Sequence, residues 1–278
     1  TAQSKYVWWG MVLGALYFFG PGESIFSYAA LGVVFMLAML YVQQDGMLYA
    51  CSHPAIPKTA GGNPQGMRHP GERGMPYREL VIPTADGCHL HGWLMPVPGG
   101  RSRQAPTIIY FHGNAGNLGM RLPLYEELFF RLGMNVVAFD YRGYGRSTGK
   151  PNEAGLRLDA EAVVNFVRTR LQGEVDVTKL LLFGRSLGGS VATWYAGKST
   201  GASGGGIKGL IIENTFMSIG DLAVKLFALL KVFRPLLPLL LKSKWEAKEH
   251  IRGVQVPVML LSAQLDALVP PAHMNTLF

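Results

Sequence analysis

Gly184, Ser186 and Gly188 stand at G-x-S-x-G spacing within LLLFGRSLGGSVATWYAG, residues 180–197. A serine so placed can be the nucleophile of an acyl transfer if the backbone lifts its hydroxyl clear of the sheet and a base takes its proton. The flanking residues suit that role. Residues 180–183 are apolar and read as a strand, and a helical pattern begins directly after the serine. A strand that turns into a helix without a loop forces its central residue into a strained conformation, and side chains two positions to either side would collide. Gly184 and Gly188 remove that collision. The helix also aims its free amides, and the positive end of its dipole, at the point where negative charge would develop. A glycine-rich turn with an incidental serine would explain the pentapeptide but not the strand and helix around it.

Developing charge on a substrate oxygen needs hydrogen-bond donors. FHGNAGN (111–117) follows the apolar run TIIYF (107–111), which places a glycine-rich turn at the carboxyl edge of the sheet beside the serine. The backbone N–H groups of Leu187 and Asn114 are assigned as oxyanion donors, with Ala115 the neighbouring candidate. His112 leaves its strand at the start of this tight turn, where an imidazole more often ties down the loop than serves as a general base.

These residues need a scaffold, and the chain supplies an alternation of strands and helices. Apolar β-rich runs at 107–111, 135–139, 179–183, 209–213 and 256–262 are separated by helical patterns over 121–132, 153–170 and from 189 onward. Such alternation predicts a mostly parallel sheet covered by helices on both faces. RELVIPT and CHLHGWLMPV, residues 78–84 and 88–97, read as an antiparallel hairpin at the sheet edge. GASGGG (201–206) is a flexible loop.

The N-terminal part has a different composition. Of 278 residues 49% are hydrophobic and 16% charged, and the apolar excess lies before residue 43, where Glu23 is the one charge between Tyr6 and Val42. IFSYAALGVVFMLAMLYV (25–42) has 18 residues, enough to cross a hydrocarbon layer of about 30 Å at about 1.5 Å per residue. The first run, 6–19, is shorter and suits an interfacial or re-entrant helix. Lys5 alone makes a poor n-region for a cleaved signal. Residues 1–45 are therefore expected to be a membrane anchor, single-pass, followed by a linker over 46–76 rich in proline and glycine and a folded domain over 77–278. Lys5 and Lys58 flank the apolar region equally and give no orientation, whereas the absence of any N-x-[ST] sequon favours a cytosolic catalytic domain.

The formal charge of +8 is spread along the chain with no basic-aromatic motif, so an anionic lipid surface, not nucleic acid, is the expected partner. Cys51 and Cys88 form neither a metal spacing nor a disulfide framework. Cys51 is an ordinary thiol or, just past the anchor, an S-acylation position. No metal or cofactor is expected.

FHGNAGN (111–117), FDYRGYGRSTGKPNEAGLRLDAEA (139–162), FGRSLGGSVA (183–192), IIENTF (211–216) and VPVMLLSAQLDALVPP (256–271) together resemble the α/β-hydrolase superfamily. Within it they are similar to the membrane-anchored α/β-hydrolase-domain proteins related to the yeast bud-emergence hydrolase. The resemblance implies a triad in chain order Ser, Asp, His, with the acid after the strand that follows a lid, and Asp266 occupies that position. Glu213, ending the preceding strand, is the runner-up acid, and Asp140 is expected to brace its loop. The resemblance also implies a histidine on a loop after one further strand. Phe278 comes first, and His273, in a Pro-initiated helix, is expected to point away from the serine. A C-terminally truncated chain is thus expected, lacking the last strand, the catalytic histidine and the final helix, in agreement with a first residue other than Met.

Between the fourth and fifth of the apolar β-rich runs, LAVKLFALLKVFRPLLPLLL (222–241) has the length of a second span, but its lysines, Arg234 and two prolines oppose that. Apolar lid helices, within a lid over about 217–250, fit it better and favour an acyl-bearing lipid or lipidated substrate. The expected function is a membrane-tethered serine hydrolase acting on acyl esters or thioesters; the alternative is a non-catalytic hydrolase-fold scaffold at membranes.

Overall fold

A computed structural model describes residues 25–52, 54–198, 207–232 and 234–278. The chain divides into two compact units, one ending at Gln43 and the other running from Gln44 to Phe278. The boundary falls within helix α1, Ile25–Leu48. Among the described residues no helix is long and apolar enough to cross a membrane. Residues 1–24, and the side chains at several positions of α1, lie outside the description, and with them much of the expected anchor.

The second unit is built on one seven-stranded sheet. Its strands are β1 (Arg78–Pro83), β2 (His89–Met95), β3 (Thr107–Phe111), β4 (Asn135–Phe139), β5 (Leu180–Arg185), β6 (Ile207–Glu213) and β7 (Val258–Leu261), in spatial order β1-β2-β4-β3-β5-β6-β7. The hairpin β1–β2 is antiparallel and joins β4 antiparallel, while β4, β3, β5, β6 and β7 pair in parallel. Every residue of β3 and β4 is buried, as expected of unbroken apolar runs covered on both faces.

Helices cross over between the parallel strands. Between β3 and β4 lies a short helix α2 (Leu122–Glu126), extended by a wider turn through Arg131. Helix α3 (Glu153–Arg170) follows β4; its N-cap Asn152 accepts a bond from Gly155 N, and Val163, Val164 and Val167 pack inward. Helix α4 (Leu187–Lys198) follows β5 with no intervening loop. Beyond β6 the long apolar stretch is broken, not one helix. Helix α5 (Ile219–Leu226) is capped by Ser218, and the chain continues through short 3-10 turns to α6 (Leu237–Leu240). Pro235 and Pro238 lack the N–H groups a continuous helix would use. Helix α7 (Ala247–His250) leads to β7, and α8 (Pro271–Leu277) ends the chain.

The expected linker is a correction. Within 46–76, Tyr49, Ala60, Asn63 and Met75 are buried, and short helical turns replace an extended chain. The Asn63 and Asn117 amides bond each other reciprocally at 2.8 and 3.0 Å, and Asn117 Nδ2 also donates to the Pro57 carbonyl. A Cβ on Gly119 would lie 2.3 Å from the Met67 carbonyl oxygen, so this segment is packed flat on the domain. Proline and glycine density signals irregular backbone; it does not signal solvent exposure.

Candidate active site

Ser186 has φ +53°, one of three non-glycine residues with positive φ among the described residues. L-residues reach this region at a cost, and the surroundings hold it there. Ser186 N donates to the Glu213 carbonyl at 2.9 Å, tying the turn to the end of β6. The Ser186 carbonyl accepts from Gly189 N and from Thr215 Oγ1. Space around the turn is minimal. A Cβ on Gly184 would stand 2.3 Å from the Gly188 carbonyl oxygen, and one on Gly189 would stand 1.7 Å from Thr215 Oγ1. Thr215 thus supports the turn from below, a role that IIENTF alone did not announce.

The turn after β3 lies against the serine: a Cβ added to Gly113 would fall 3.6 Å from Ser186 Cβ and 3.5 Å from the Arg185 carbonyl oxygen. Asn114 follows, and its side chain is fully engaged. Nδ2 donates to the Leu48 carbonyl at 2.6 Å, while Oδ1 accepts from Ala50 N and from the Tyr144 hydroxyl at 3.1 and 2.7 Å. These bonds fix the loop that carries the Asn114 N–H and bind it to the last residue of α1 and to Ala50 just after it. Ala115 is exposed next to it. Leu187 opens α4, so its N–H has no acceptor within the helix.

His112 is wholly buried with both ring nitrogens occupied. Nδ1 lies 2.7 Å from the Gly113 carbonyl, and Nε2 accepts from Tyr141 N at 3.4 Å, which fixes the proton on Nδ1. Burial lowers its pKa to about 3 and raises that of Asp140 to about 8, so the 3.8 Å approach of these two is a contact between neutral groups at neutral pH. Asp140 accepts from Leu118 N at 2.8 Å and so braces the turn that leads into α2.

Asp140→Asn, which keeps a neutral side chain of similar shape, is expected to gain on the wild type as pH rises. The native state holds the Asp140 proton up to about 8, whereas the unfolded chain releases it near 3.8. More protons are then bound in the native state, and wild-type stability falls with rising pH across that window. Denaturation midpoints at about pH 5 and about pH 8 check this. An unchanged gap between variant and wild type would refute it.

Asp266 ends the turn after β7. Its Oδ1 accepts from Leu268 N and Val269 N, each at 2.9 Å, and among the described residues Oδ2 has no hydrogen bond. Asn214, in the left-handed region with φ +44°, accepts from Ala263 N at 2.8 Å and so ties the acid-bearing turn to the end of β6. Glu213 instead faces Arg185, its carboxylate 3.6 Å from Nε. No histidine among the described residues hydrogen-bonds Ser186 or Asp266. His273 is buried, with Nδ1 accepting from Met217 N at 3.3 Å. His53 lies outside the described residues. Sequence reasoning also passed over the buried Arg142, whose guanidinium joins Asp159 (2.8 Å) and Asp86 (2.7 Å) and holds the loop after β4.

A mostly parallel sheet, a strained serine at a loopless strand-to-helix turn, and a glycine-rich turn packed beside it define an α/β hydrolase. Comparison agrees: a family profile described as alpha/beta hydrolase fold matches residues 106–233. Protein bem46 of Schizosaccharomyces pombe is 33% identical over 243 residues, covering 87% of this chain and 76% of that protein. The alpha/beta hydrolase domain-containing protein WAV2 of Arabidopsis thaliana is 32% identical, over 94% of this chain and 80% of its own. An uncharacterized membrane protein of Saccharomyces cerevisiae is 34% identical, over 87% and 78%. The chain belongs to the family of Bem46 and related alpha/beta hydrolase domain-containing proteins. The same fold occurs in the Pyrococcus furiosus esterase Pf2001, with a TM-score of 0.60 at 20% identity over 80% of this chain and 82% of that one. An acetyl xylan esterase from Paenibacillus gives 0.57 at 20% identity over 72% of each.

Proposed function

We propose that this protein is a membrane-tethered serine hydrolase that cleaves acyl esters or thioesters through an acyl-enzyme. The observation that carries the reading is Ser186 at positive φ between glycines that admit no side chain, with the Gly113–Asn114 turn against it. The Ser186 oxygen attacks the acyl carbonyl as a histidine takes its proton. The tetrahedral oxyanion is held by the N–H groups of Leu187 and Asn114, and the imidazolium returns the proton to the departing alcohol or thiol. Water, deprotonated by the same imidazole, then releases the acid and restores the serine. Asp266 has a carboxylate oxygen unclaimed by its own turn, the acceptor such an imidazole needs. No histidine among the described residues hydrogen-bonds Ser186, so this reading assigns the base to a histidine outside them.

Tethering is supported by the uncharged run Ile25–Val42 and by the description of the S. cerevisiae relative as a membrane protein. The esterase titles of the structural neighbours make ester cleavage the first chemistry to test. A fluorophosphonate probe applied to the whole native protein is expected to label it covalently, and Ser186→Ala is expected to remove the label. Absence of label on a folded wild-type protein would favour the non-catalytic scaffold.

A further inference from the structure

From Leu222 to Trp245 the chain carries Lys225, Lys231, Arg234, Lys242 and Lys244 and no aspartate or glutamate. The same segment leaves large apolar side chains in solvent: Phe227 is 63% exposed, Val232 75% and Leu239 79%, with Leu226, Leu236 and Leu240 also exposed. Apolar surface concentrated in this way within a folded unit marks an interaction site. The surrounding charge identifies the partner. An apolar protein surface would accept the leucines but add no negative charge opposite the cations. An anionic bilayer takes both, since apolar side chains enter the acyl boundary while lysine and arginine remain at the headgroups. Asp221, the acid at the head of the lid, faces inward, held by Ser218 Oγ and Lys248 and reached by Arg234 at 3.1 Å.

Three further hydrogen bonds tie this segment to Gln44 and Asp45. Gln44 donates from Nε2 to the Leu240 carbonyl at 2.6 Å and accepts from Lys242 N at 2.9 Å, and Asp45 accepts from Ser243 Oγ at 3.3 Å. Gln44 follows the last residue of the uncharged run, Val42, by two positions. The chain leaving the apolar run is therefore fastened to the end of the lid that exposes Leu239 and Leu240. At its other end the lid begins six residues after Glu213, whose carbonyl accepts from Ser186 N.

We infer that the lid, residues 219–245, is a bilayer-docking surface selective for anionic lipid, which sets the edge of the Ser186 site against the headgroups. The surface stands on exposure, charge and the Gln44 contacts; only its use in substrate capture rests on the hydrolase reading.

The test places a tryptophan at Leu239, and separately at Phe227, in the full chain reconstituted into vesicles whose acyl chains are brominated. Phosphatidylcholine vesicles are compared with vesicles that also contain phosphatidylserine. Phe130→Trp, exposed where the chain turns back toward the amino end of β4, is the control. Leu239→Trp and Phe227→Trp are expected to add blue-shifted emission that brominated lipid quenches, more strongly with phosphatidylserine, and K225E/K231E/R234E is expected to remove that preference. Equal quenching of the Phe130→Trp control, no quenching at either lid position, or quenching that vanishes as protein is diluted in lipid would overturn the proposal. The last would mean that a second copy covers the face. Fluorophosphonate labelling in detergent needs no bilayer, so its failure alongside intact quenching would reject the hydrolase and leave the docking surface standing.

Discussion

Gly188→Ala is expected to yield no folded protein at all. A Cβ there would lie 2.0 Å from the Phe111 carbonyl oxygen, 2.5 Å from its carbon and 2.6 Å from the His112 carbonyl oxygen. All three are backbone atoms at the end of β3, so no rotamer change relieves the clash. Retreat of α4 is blocked as well: on its other side Gly189 abuts Thr215, and below it Gly184 abuts the Gly188 carbonyl. Interiors are packed as densely as organic crystals, and the required shift, about 1 Å in the backbone of two central elements, would break strand pairing around β3 and β5. The penalty exceeds about 4 kcal/mol, against a total stability of about 5–15 kcal/mol for an ordinary domain. Gly61→Ala, where nothing lies within 4 Å of the added carbon, is the matched control. Equal denaturation midpoints for the two variants would show that the turn is far more plastic than its geometry implies.

Residues 1–278 alone are expected to hydrolyse activated acyl esters no faster than their Ser186→Ala variant. Ser186, its strained backbone and the neighbouring amides are all present, but no histidine among the described residues hydrogen-bonds Ser186 to take its proton. His112 has spent both nitrogens on the Gly113 carbonyl and Tyr141 N, and burial keeps it neutral far below neutral pH. His273 is committed to Met217 N. Removing one member of a triad commonly costs about 10⁴–10⁶ in rate, because a protonated hydroxyl is a poor nucleophile even beside an intact oxyanion site. Initial rates on a p-nitrophenyl acyl ester, wild type against Ser186→Ala, measure the effect. Serine-dependent turnover that disappears in His273→Ala would mean that α8 moves and that the base has been misplaced.

What could be read from the sequence was local or periodic. The runs at 107–111 and 135–139 are the strands found, because five successive buried residues leave no polar alternation to confuse the pattern. Helix α3 spans the expected 153–170, set by its Asn152 cap. Ser186 was legible because a strand, a glycine, a serine, a glycine and a helix in immediate succession permit almost one backbone path. Its φ of +53° is the price of that succession.

Interactions between distant residues could not be read in the same way. The proline-rich stretch before residue 77 was expected to stand free, yet Tyr49 is buried with its hydroxyl 2.9 Å from Ser243 Oγ and 3.0 Å from Trp245 Nε1, nearly two hundred positions away. That Asn114 fastens the glycine-rich turn to Leu48 and Ala50 likewise follows from no spacing. The sequence by itself determined the strained serine, the parallel sheet and the mixed apolar and basic composition of the lid, since each follows from neighbouring side chains acting on one stretch of backbone. Only the tertiary structure decided that His112 is a neutral strut, that Glu213 turns to Arg185, and that the lid exposes its leucines beside the chain leaving the apolar run. Protonation and exposure depend on which distant groups displace water from a residue, and that is fixed only when the sheet and its layers close together.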